Sequence, residues 1–163
     1  MSEAVEIRPE AADGAAARAL YEQYLALVCE RLPGFVPTER IFASEEVFTG
    51  EGGAWLVAYD EDGAPVGCGG LRTLAPGVGE IKRMFVTQRA RGAGLGRRLL
   101  RELERRAAAH GHRRVRLLTT AVLSEAIALY EAEGYRTVQR TERAGEPVEF
   151  WMEKELPAPT RTR

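Results

Sequence analysis

The chain has 163 residues and a net charge of −1, with 45% hydrophobic and 29% charged residues. This balance is typical of one globular domain with its own core, and it excludes collagen-like, strongly disordered and membrane-spanning classes. Cys29 and Cys68 are too few and too far apart for a disulfide framework or a zinc motif, so we expect both to be small buried side chains. The chain begins without a secretion signal, which predicts a cytoplasmic protein.

The first half of the chain predicts a strand, two helices and a β-hairpin. Apolar and polar residues alternate at its start, and apolar residues then recur at helical spacing until Pro33-Gly34. Two further apolar runs flank an acidic turn that contains Gly63, as in a hairpin. The predicted elements are a strand at 5–8, a helix that ends before Pro33, a short helix near 44–48, and strands at 55–59 and 65–71.

The second half predicts strands that alternate with helices and a closing pair of strands. Leucines repeat every four residues after Gly94, which indicates a helix that Gly111 ends. The predicted elements are strands at 80–86 and 115–120, helices at 94–109 and 124–133, and strands at 135–139 and 148–154. We expect one domain over 1–156 and a disordered tail over 157–163.

A glycine-rich turn separates the strand at 80–86 from the helix that follows it. Residues 91–96 read Arg-Gly-Ala-Gly-Leu-Gly, with three alternating glycines where the helix begins. The first N–H groups of a helix have no internal partner, and the helix dipole adds about half a positive charge at that end. Such a turn is suited to hold a phosphate group.

Glycine-rich turns between a strand and a helix also occur in other phosphate-binding sites. A dinucleotide site needs Gly-x-Gly-x-x-Gly and an acidic residue about twenty positions later, whereas Gly92, Gly94 and Gly96 are evenly spaced and position 116 is Arg. A nucleotide P-loop needs Gly-Lys followed by Ser or Thr, and the chain has no such triplet. A turn that only packs a helix closely on a strand is the alternative that stays open.

Two motifs resemble the GNAT N-acetyltransferase superfamily. The turn at 91–96 is similar to the Gln/Arg-x-x-Gly-x-Gly/Ala signature of that family and lies in the same place, between a strand and a helix. The segment 126–135, which reads Ala-Ile-Ala-Leu-Tyr-Glu-Ala-Glu-Gly-Tyr, resembles the family's Ala-x-x-Leu-Tyr-x-x-x-Gly-Phe/Tyr segment. The similarity is specific from about Glu80 to Tyr135.

The resemblance implies an α/β fold with a mixed, mostly antiparallel sheet of about seven strands and about four flanking helices. It further implies that two parallel central strands splay apart and receive the pantetheine arm of acetyl-CoA, the co-substrate. Many relatives carry Asn where this chain has Leu123, so one side-chain contact to the arm is expected to be missing. The implied coenzyme contacts are Met84, Phe85, Val86, Arg91, Gly92, Ala93, Gly94, Leu95, Gly96 and Arg97.

Two residues are candidates for proton transfer. An amine of pKa ~10 must lose a proton before it attacks a thioester. Glu80 resembles the catalytic glutamate of the histone-acetylating branch and is the candidate base, acting through a water; its alternative role is a structural pair with Lys82. Tyr130 matches the family tyrosine beside the coenzyme sulfur and is the candidate acid, with a core aromatic as the alternative.

The sequence therefore predicts an N-acetyltransferase that acts on an amine of a small molecule or a protein by direct attack in a ternary complex. The alternative is an inactive module of the same fold that senses acetyl-CoA or serves as a scaffold. We expect no metal, nucleic-acid or membrane partner, and a homodimer is one option for the oligomeric state. His110 and His112 are read as helix-end residues, and an acidic acceptor would have Arg72 or Arg83 to bind it.

Overall fold

A seven-stranded sheet forms the centre of the molecule in the computed structural model, which describes residues 4–35 and 45–158. Its strands are β1 (Glu6–Pro9), β2 (Ala54–Tyr59), β3 (Pro65–Ala75), β4 (Val78–Val86), β5 (Arg114–Thr120), β6 (Arg136–Thr141) and β7 (Glu149–Glu155). Their order across the sheet is β1-β2-β3-β4-β5-β7-β6, and each neighbouring pair is antiparallel except the parallel pair β4 and β5. This arrangement confirms the predicted fold class.

Helices cover the sheet. They are α1 (Ala15–Arg31), α2 (Leu95–His110) and α3 (Ser124–Ala132), with short 3-10 helices at Glu45–Phe48 and Gln88–Ala90. The three α-helices and the turn at Glu45–Phe48 correspond to the four helices predicted, although the last is 3-10 rather than α. No helix in the described part of the chain is long and apolar enough to cross a membrane.

The leucine repeat of α2 forms the core on one face of the sheet. Leu95, Leu99, Leu103 and Ala107 are all buried and lie in one apolar cluster with side chains of the sheet. A repeat of four residues keeps these side chains on one side of the helix, and most charged residues between them face water, the exception being Glu104, which is buried and paired with Lys154. The predicted amphipathic helix is confirmed.

A second, smaller core lies on the opposite face, under α1. Leu20 of α1 is fully buried there with Trp55 and Phe48, whose rings have centroids 5.1 Å apart. Cys68 is buried in the same cluster, as predicted. The prediction for Cys29 was wrong: it is exposed, because it follows the buried Val28 on α1 and faces away from the sheet.

The predicted elements are confirmed with small changes at their ends. The largest change is in β3, which extends to Ala75 because it pairs with β4 as far as the Pro76-Gly77 turn. The division into a domain and a tail stays a prediction, and residues 159–163 of the tail lie outside the described residues.

Two adjacent glycines let β3 lie close to side chains on both faces of the sheet. A Cβ atom at Gly69 would be 2.6 Å from the sulfur of Met84, and one at Gly70 would overlap the ring of the buried Phe48. An aromatic ring in a packed core has little room to move. Gly70 is therefore required by side-chain packing against the sheet and not by a turn conformation.

We expect Gly70→Ala to lower the free energy of unfolding by ~1–3 kcal/mol, because the new methyl group overpacks the Phe48 site. Gly50→Ala is the matched control, since no atom lies within 4 Å of the added methyl group, and it should change stability by less than ~0.5 kcal/mol. Urea unfolding of both variants measures the difference. Equal stability of the two variants would contradict this account of β3.

Candidate active site

The central parallel pair of strands separates partway along its length. The ladder between β4 and β5 covers Val78–Ile81 on one strand and Arg114–Leu117 on the other. Beyond it, β4 continues alongside β3 to Val86, and β5 continues alongside β7 to Thr120. On its β5 side, the backbone of β4 from Lys82 to Val86 therefore faces a gap instead of a neighbouring strand, as the resemblance implied.

A β-bulge lies in β4 where the gap opens. Lys82 pairs with Gly70 and Phe85 with Cys68, so two residues of β4 stand opposite the single Gly69. Arg83, in the bulge, has a φ of 54° and is the one non-glycine residue with positive φ in the described ranges. This conformation costs on the order of 1–3 kcal/mol and recurs beside active sites, where it redirects backbone groups.

Sequence reasoning missed this bulge. The Sγ atom of Cys68 donates a hydrogen bond to the Arg83 carbonyl at 3.5 Å, and the Arg83 guanidinium lies 5.0 Å from the ring centre of Tyr21. These contacts hold the strained backbone in place. The one signal in the sequence is the glycine pair at 69–70 on the opposing strand, because β4 itself contains no glycine at the bulge.

A cavity of about 430 Å³ lies between the gap and the glycine turn. Gly92 and Gly94 have φ values of 87° and 80°, and the first amide of α2 to bond within the helix is that of Arg98, to the Gly94 carbonyl. The amides before it lie at the positive end of the helix dipole. Nine of the ten predicted coenzyme residues line this cavity, and Ala93 does not: Met84, Phe85, Val86, Arg91, Gly92, Gly94, Leu95, Gly96 and Arg97.

The arginine side chains near the turn are held by other groups of the protein. Arg91 donates through Nε to the Val86 carbonyl at 3.1 Å, and Arg98 donates to the Val5 carbonyl at 3.0 Å. Arg97 lies 2.7 Å from a carboxylate oxygen of Glu133. The turn therefore offers an anion its backbone amides and the helix dipole. It also offers the positive charges of Arg91 and Arg98, which the neutral carbonyls do not cancel, whereas the charge of Arg97 is matched by Glu133.

A second cavity of about 590 Å³ lies on the other side of the gap, between the end of α1, β4 and the connection from β6 to β7. Tyr24 and Leu123 line both cavities, so the two spaces meet at these side chains. In the sequence, Tyr24 is only one of the apolar residues that recur at helical spacing before Pro33, and nothing there marks it as a site residue. Its ring is an edge-on neighbour of Phe85 at 6.0 Å, and burial raises the pKa of its hydroxyl.

Glu80 lies in this second cavity with its side chain 3% exposed. Its Oε1 accepts a hydrogen bond from Arg72 Nε at 2.5 Å, and its Oε2 lies 3.7 Å from Lys82 Nζ, beyond hydrogen-bond distance. The structural pair with Lys82 is thus present but loose, and the closer partner, Arg72, comes from β3 directly opposite Glu80 in the ladder. The antiparallel register explains this pairing.

Tyr130 of α3 lies in the wall of the first cavity. It is buried, its ring centre is 5.8 Å from that of Tyr135, and burial together with the neighbouring Tyr24 raises the pKa of its hydroxyl. The phenol is therefore protonated at neutral pH and is able to donate a proton. Tyr130 and Glu80 line different cavities on opposite sides of the junction at Tyr24 and Leu123.

The pattern of the Acetyltransferase (GNAT) family matches residues 21–135, which include the second part of α1, the splayed strands, the glycine turn and α3. The chain belongs to the GNAT acetyltransferase family. The family membership predicted from the two motifs is confirmed, and the similarity extends further toward the start of the chain than those motifs do.

Individual GNAT proteins resemble this chain in sequence and in structure. It is 40% identical over 104 residues to an IAA acetyltransferase of Azospirillum brasilense, covering 63% of this chain and 67% of the relative. For two uncharacterized N-acetyltransferases, of Schizosaccharomyces pombe and Escherichia coli, the match covers 54% and 51% of the relative. The chain thus spans about half the length of these two relatives.

Among solved structures, a GNAT phosphinothricin acetyltransferase from Sinorhizobium meliloti, in complex with AcCoA, is 25% identical with a TM-score of 0.72, covering 100% of this chain and 93% of that one. A GNAT acetyltransferase from Staphylococcus aureus has a TM-score of 0.77 at 18% identity, covering 94% of this chain and 100% of that one. The second likeness concerns the fold alone.

The two histidines lie away from both cavities. His110 and His112 have ring centres 5.0 Å apart, and His112 Nε2 lies 3.2 Å from the hydroxyl of Thr73. Over residues 4–35 and 45–158, no group of three or more His, Cys, Asp or Glu side chains is placed to hold a metal ion.

The burial of the tyrosine side chains makes the stability of the fold depend on pH. In each of the five, burial is the main cause that raises the pKa in the folded protein: Tyr21, Tyr24, Tyr59, Tyr130 and Tyr135. Unfolded tyrosines ionise near pH ~10, so the folded protein holds more protons above that pH. The stabilising contribution is complete below pH ~10 and is lost as pH rises further.

We expect tyrosinate absorbance to appear only as the protein unfolds. The pH at which it appears should be higher than the pH at which it appears in a denatured sample. Tyr130→Phe removes one buried phenol, so its free energy of unfolding should fall less steeply above pH ~10, by ~1.4 kcal/mol per pH unit. Identical slopes for the wild type and the variant would show that Tyr130 ionises normally in the folded protein.

Proposed function

We propose that the protein is an acetyl-CoA-dependent N-acetyltransferase that transfers the acetyl group directly to an amine while both substrates are bound. The observation that carries this proposal is the meeting of two cavities at Tyr24 and Leu123. One cavity presents the amides of a helix N-terminus, and the other contains a buried carboxylate. Two substrates bound in these spaces would touch only at the junction, which is the arrangement that direct transfer requires.

The first cavity fits acetyl-CoA. The amides of the turn from Arg91 to Arg97 would hold the pyrophosphate, since a helix N-terminus favours negative charge. The open edge of β4 at Met84, Phe85 and Val86 would hydrogen-bond the amides of the pantetheine arm as a neighbouring strand does. Leu123 offers the arm an apolar contact where many relatives carry Asn.

Glu80 is proposed as the general base, acting through a water in the second cavity. One of its oxygens is held by Arg72, while Oε2 has no partner within 3.5 Å among the described residues and is available to a water. The Arg72 contact fixes the direction of the carboxylate. A base is needed because an amine of pKa ~10 is only about one part in a thousand neutral at pH 7.

The bulge and Tyr130 are proposed to complete the transfer. A backbone N–H near Met84 or Phe85 would stabilise the oxyanion, a contribution worth ~3 kcal/mol in comparable sites. As the carbon–sulfur bond breaks, the Tyr130 hydroxyl would give its proton to the leaving thiolate and regain one from solvent. Because burial raises its pKa, the hydroxyl stays protonated at neutral pH and is present as a hydrogen-bond donor while charge develops on the sulfur.

The acceptor as a small molecule or a protein, a cytoplasmic location and a homodimer stay predictions.

Release of free thiol from acetyl-CoA in the presence of a panel of amines tests the activity. We expect saturable acetyl-CoA binding together with amine-dependent thiol release and a mass increase of one acetyl group on at least one amine. The control is the same assay without amine, which measures hydrolysis. Tight binding of acetyl-CoA with no transfer to any amine would favour the sensor or scaffold function instead.

Glu80→Gln tests the base, because Gln keeps an oxygen that accepts the hydrogen bond from Arg72. We expect kcat to fall by ~10²- to 10⁴-fold at pH 7, with acetyl-CoA affinity unchanged. The deficit should shrink toward pH 9.5, since water alone then removes the proton from a growing fraction of the amine.

Glu102→Gln on α2 is the matched control, because it removes a carboxylate that pairs with Arg105 and Arg106 outside both cavities. It should leave kcat unchanged. A deficit in Glu80→Gln that stays constant across pH would show that Glu80 supports the structure without acting as a base.

A further inference from the structure

The charged side chains of the second cavity are unevenly paired. Among the described residues, six line it: Glu80, Lys82, Arg83, Arg143, Glu146 and Glu149. Three are positive and three are negative, but they belong to two separate walls. Those on β4 form one wall, here called the floor, and those on the β6–β7 connection and at the start of β7 form the other, here called the rim.

On the floor, the carboxylate of Glu80 is already bound by an arginine outside the lining. Arg72 donates to Glu80 at 2.5 Å, which leaves Lys82 at 3.7 Å from the other oxygen. The Lys82 side chain is 29% exposed, so much of it is withdrawn from water. Arg72 and Lys82 thus share one carboxylate, and the two cations exceed this counter-ion by one charge.

The rim has the opposite balance. Arg143 lies 3.3 Å from Glu149 and 3.6 Å from Glu146, so its charge is matched by two carboxylates. An anion entering the cavity would be repelled by this wall and attracted by the floor. Of the floor cations, the Arg83 guanidinium is stacked near the rings of Tyr21 and Phe48, whereas Lys82 has a short, compact ammonium group on a flexible stem.

The counter-ion of the Lys82 ammonium, Glu80 at 3.7 Å, is shared with the closer Arg72, so the pair of cations keeps an excess of positive charge that an anionic ligand would offset. We propose that the amine acceptor carries a carboxylate or a similar anionic group, and that Lys82 binds this group. The inference rests on the proposed function, because it assigns this cavity to the acceptor. Because Lys82 Nζ lies 3.7 Å from Glu80, the proposed base, an anionic group on Lys82 and an amine beside Glu80 would be only a few bonds apart, as they are in an amino acid.

Matched pairs of amines test the inference: an α-amino acid and the amine that its decarboxylation yields, such as phenylalanine with phenethylamine and methionine with 3-(methylthio)propylamine. We expect kcat/KM to be at least about tenfold higher for the amino acid of an accepted pair, the size of one charge-assisted hydrogen bond. Lys82→Met should abolish this preference, and Lys82→Arg should retain it. Arg105→Met, which removes an exposed charge from α2, should leave it unchanged.

Equal or better turnover of the decarboxylated amines by the wild type would overturn the inference, as would a preference that survives in Lys82→Met. Calorimetric binding of the same pairs to the protein in the presence of CoA separates this inference from the proposed function. Tighter binding of the amino acid that Lys82→Met abolishes, with no transfer at all, would support the anion site and reject the transferase. Binding of the two members with equal affinity would reject the anion site even if transfer occurs.

Discussion

The structure depends on one break in hydrogen bonding: the parallel ladder between β4 and β5 ends at Ile81 and Leu117, while both strands continue. Unpaired backbone in a sheet is unfavourable unless another partner satisfies it. The bulge at Arg83 lets β4 stay paired with β3 while its other edge opens, and β5 follows β7 instead. A ligand with amide groups is the natural partner for an edge held open in this way.

Separate contacts hold the two halves of the sheet, β1 to β4 on one side of the gap and β5 to β7 on the other. On one face α2 contacts β3 closely because Gly69 leaves room for Leu103 and Met84, and on the other the ring of Phe48 occupies the space above Gly70. In the second half, the buried carboxylate of Glu153 on β7 is paired with two arginines of β5, Arg114 and Arg116. Each half is thus fixed by its own contacts, so closing the gap would require both cores to repack.

The sequence predicted the elements, their order and the glycine turn because each depends on local spacing: leucines every four residues, glycines at a helix start, and apolar runs around turns. It did not reveal the bulge, the Arg72–Glu80 pair or the position of Tyr24. These depend on register and on which residues of distant elements meet, and local pattern carries little information on either. The prediction that Cys29 is buried was wrong for a similar reason, since one step along α1 separates the buried Val28 from an exposed position.

The junction between the cavities has a chemical consequence of its own. Tyr24 and Leu123 bring aromatic and aliphatic surface to the place where the two substrates would meet, and the raised pKa values of Tyr24 and Tyr130 reflect how little water reaches it. A charged ammonium would be poorly solvated there. In the proposed mechanism, the amine would therefore lose its proton in the second cavity, beside Glu80, before it reaches the junction. The separation of the carboxylate from Tyr130 agrees with this proposed order, in which the base would lie where the amine waits and the acid where the thiolate leaves.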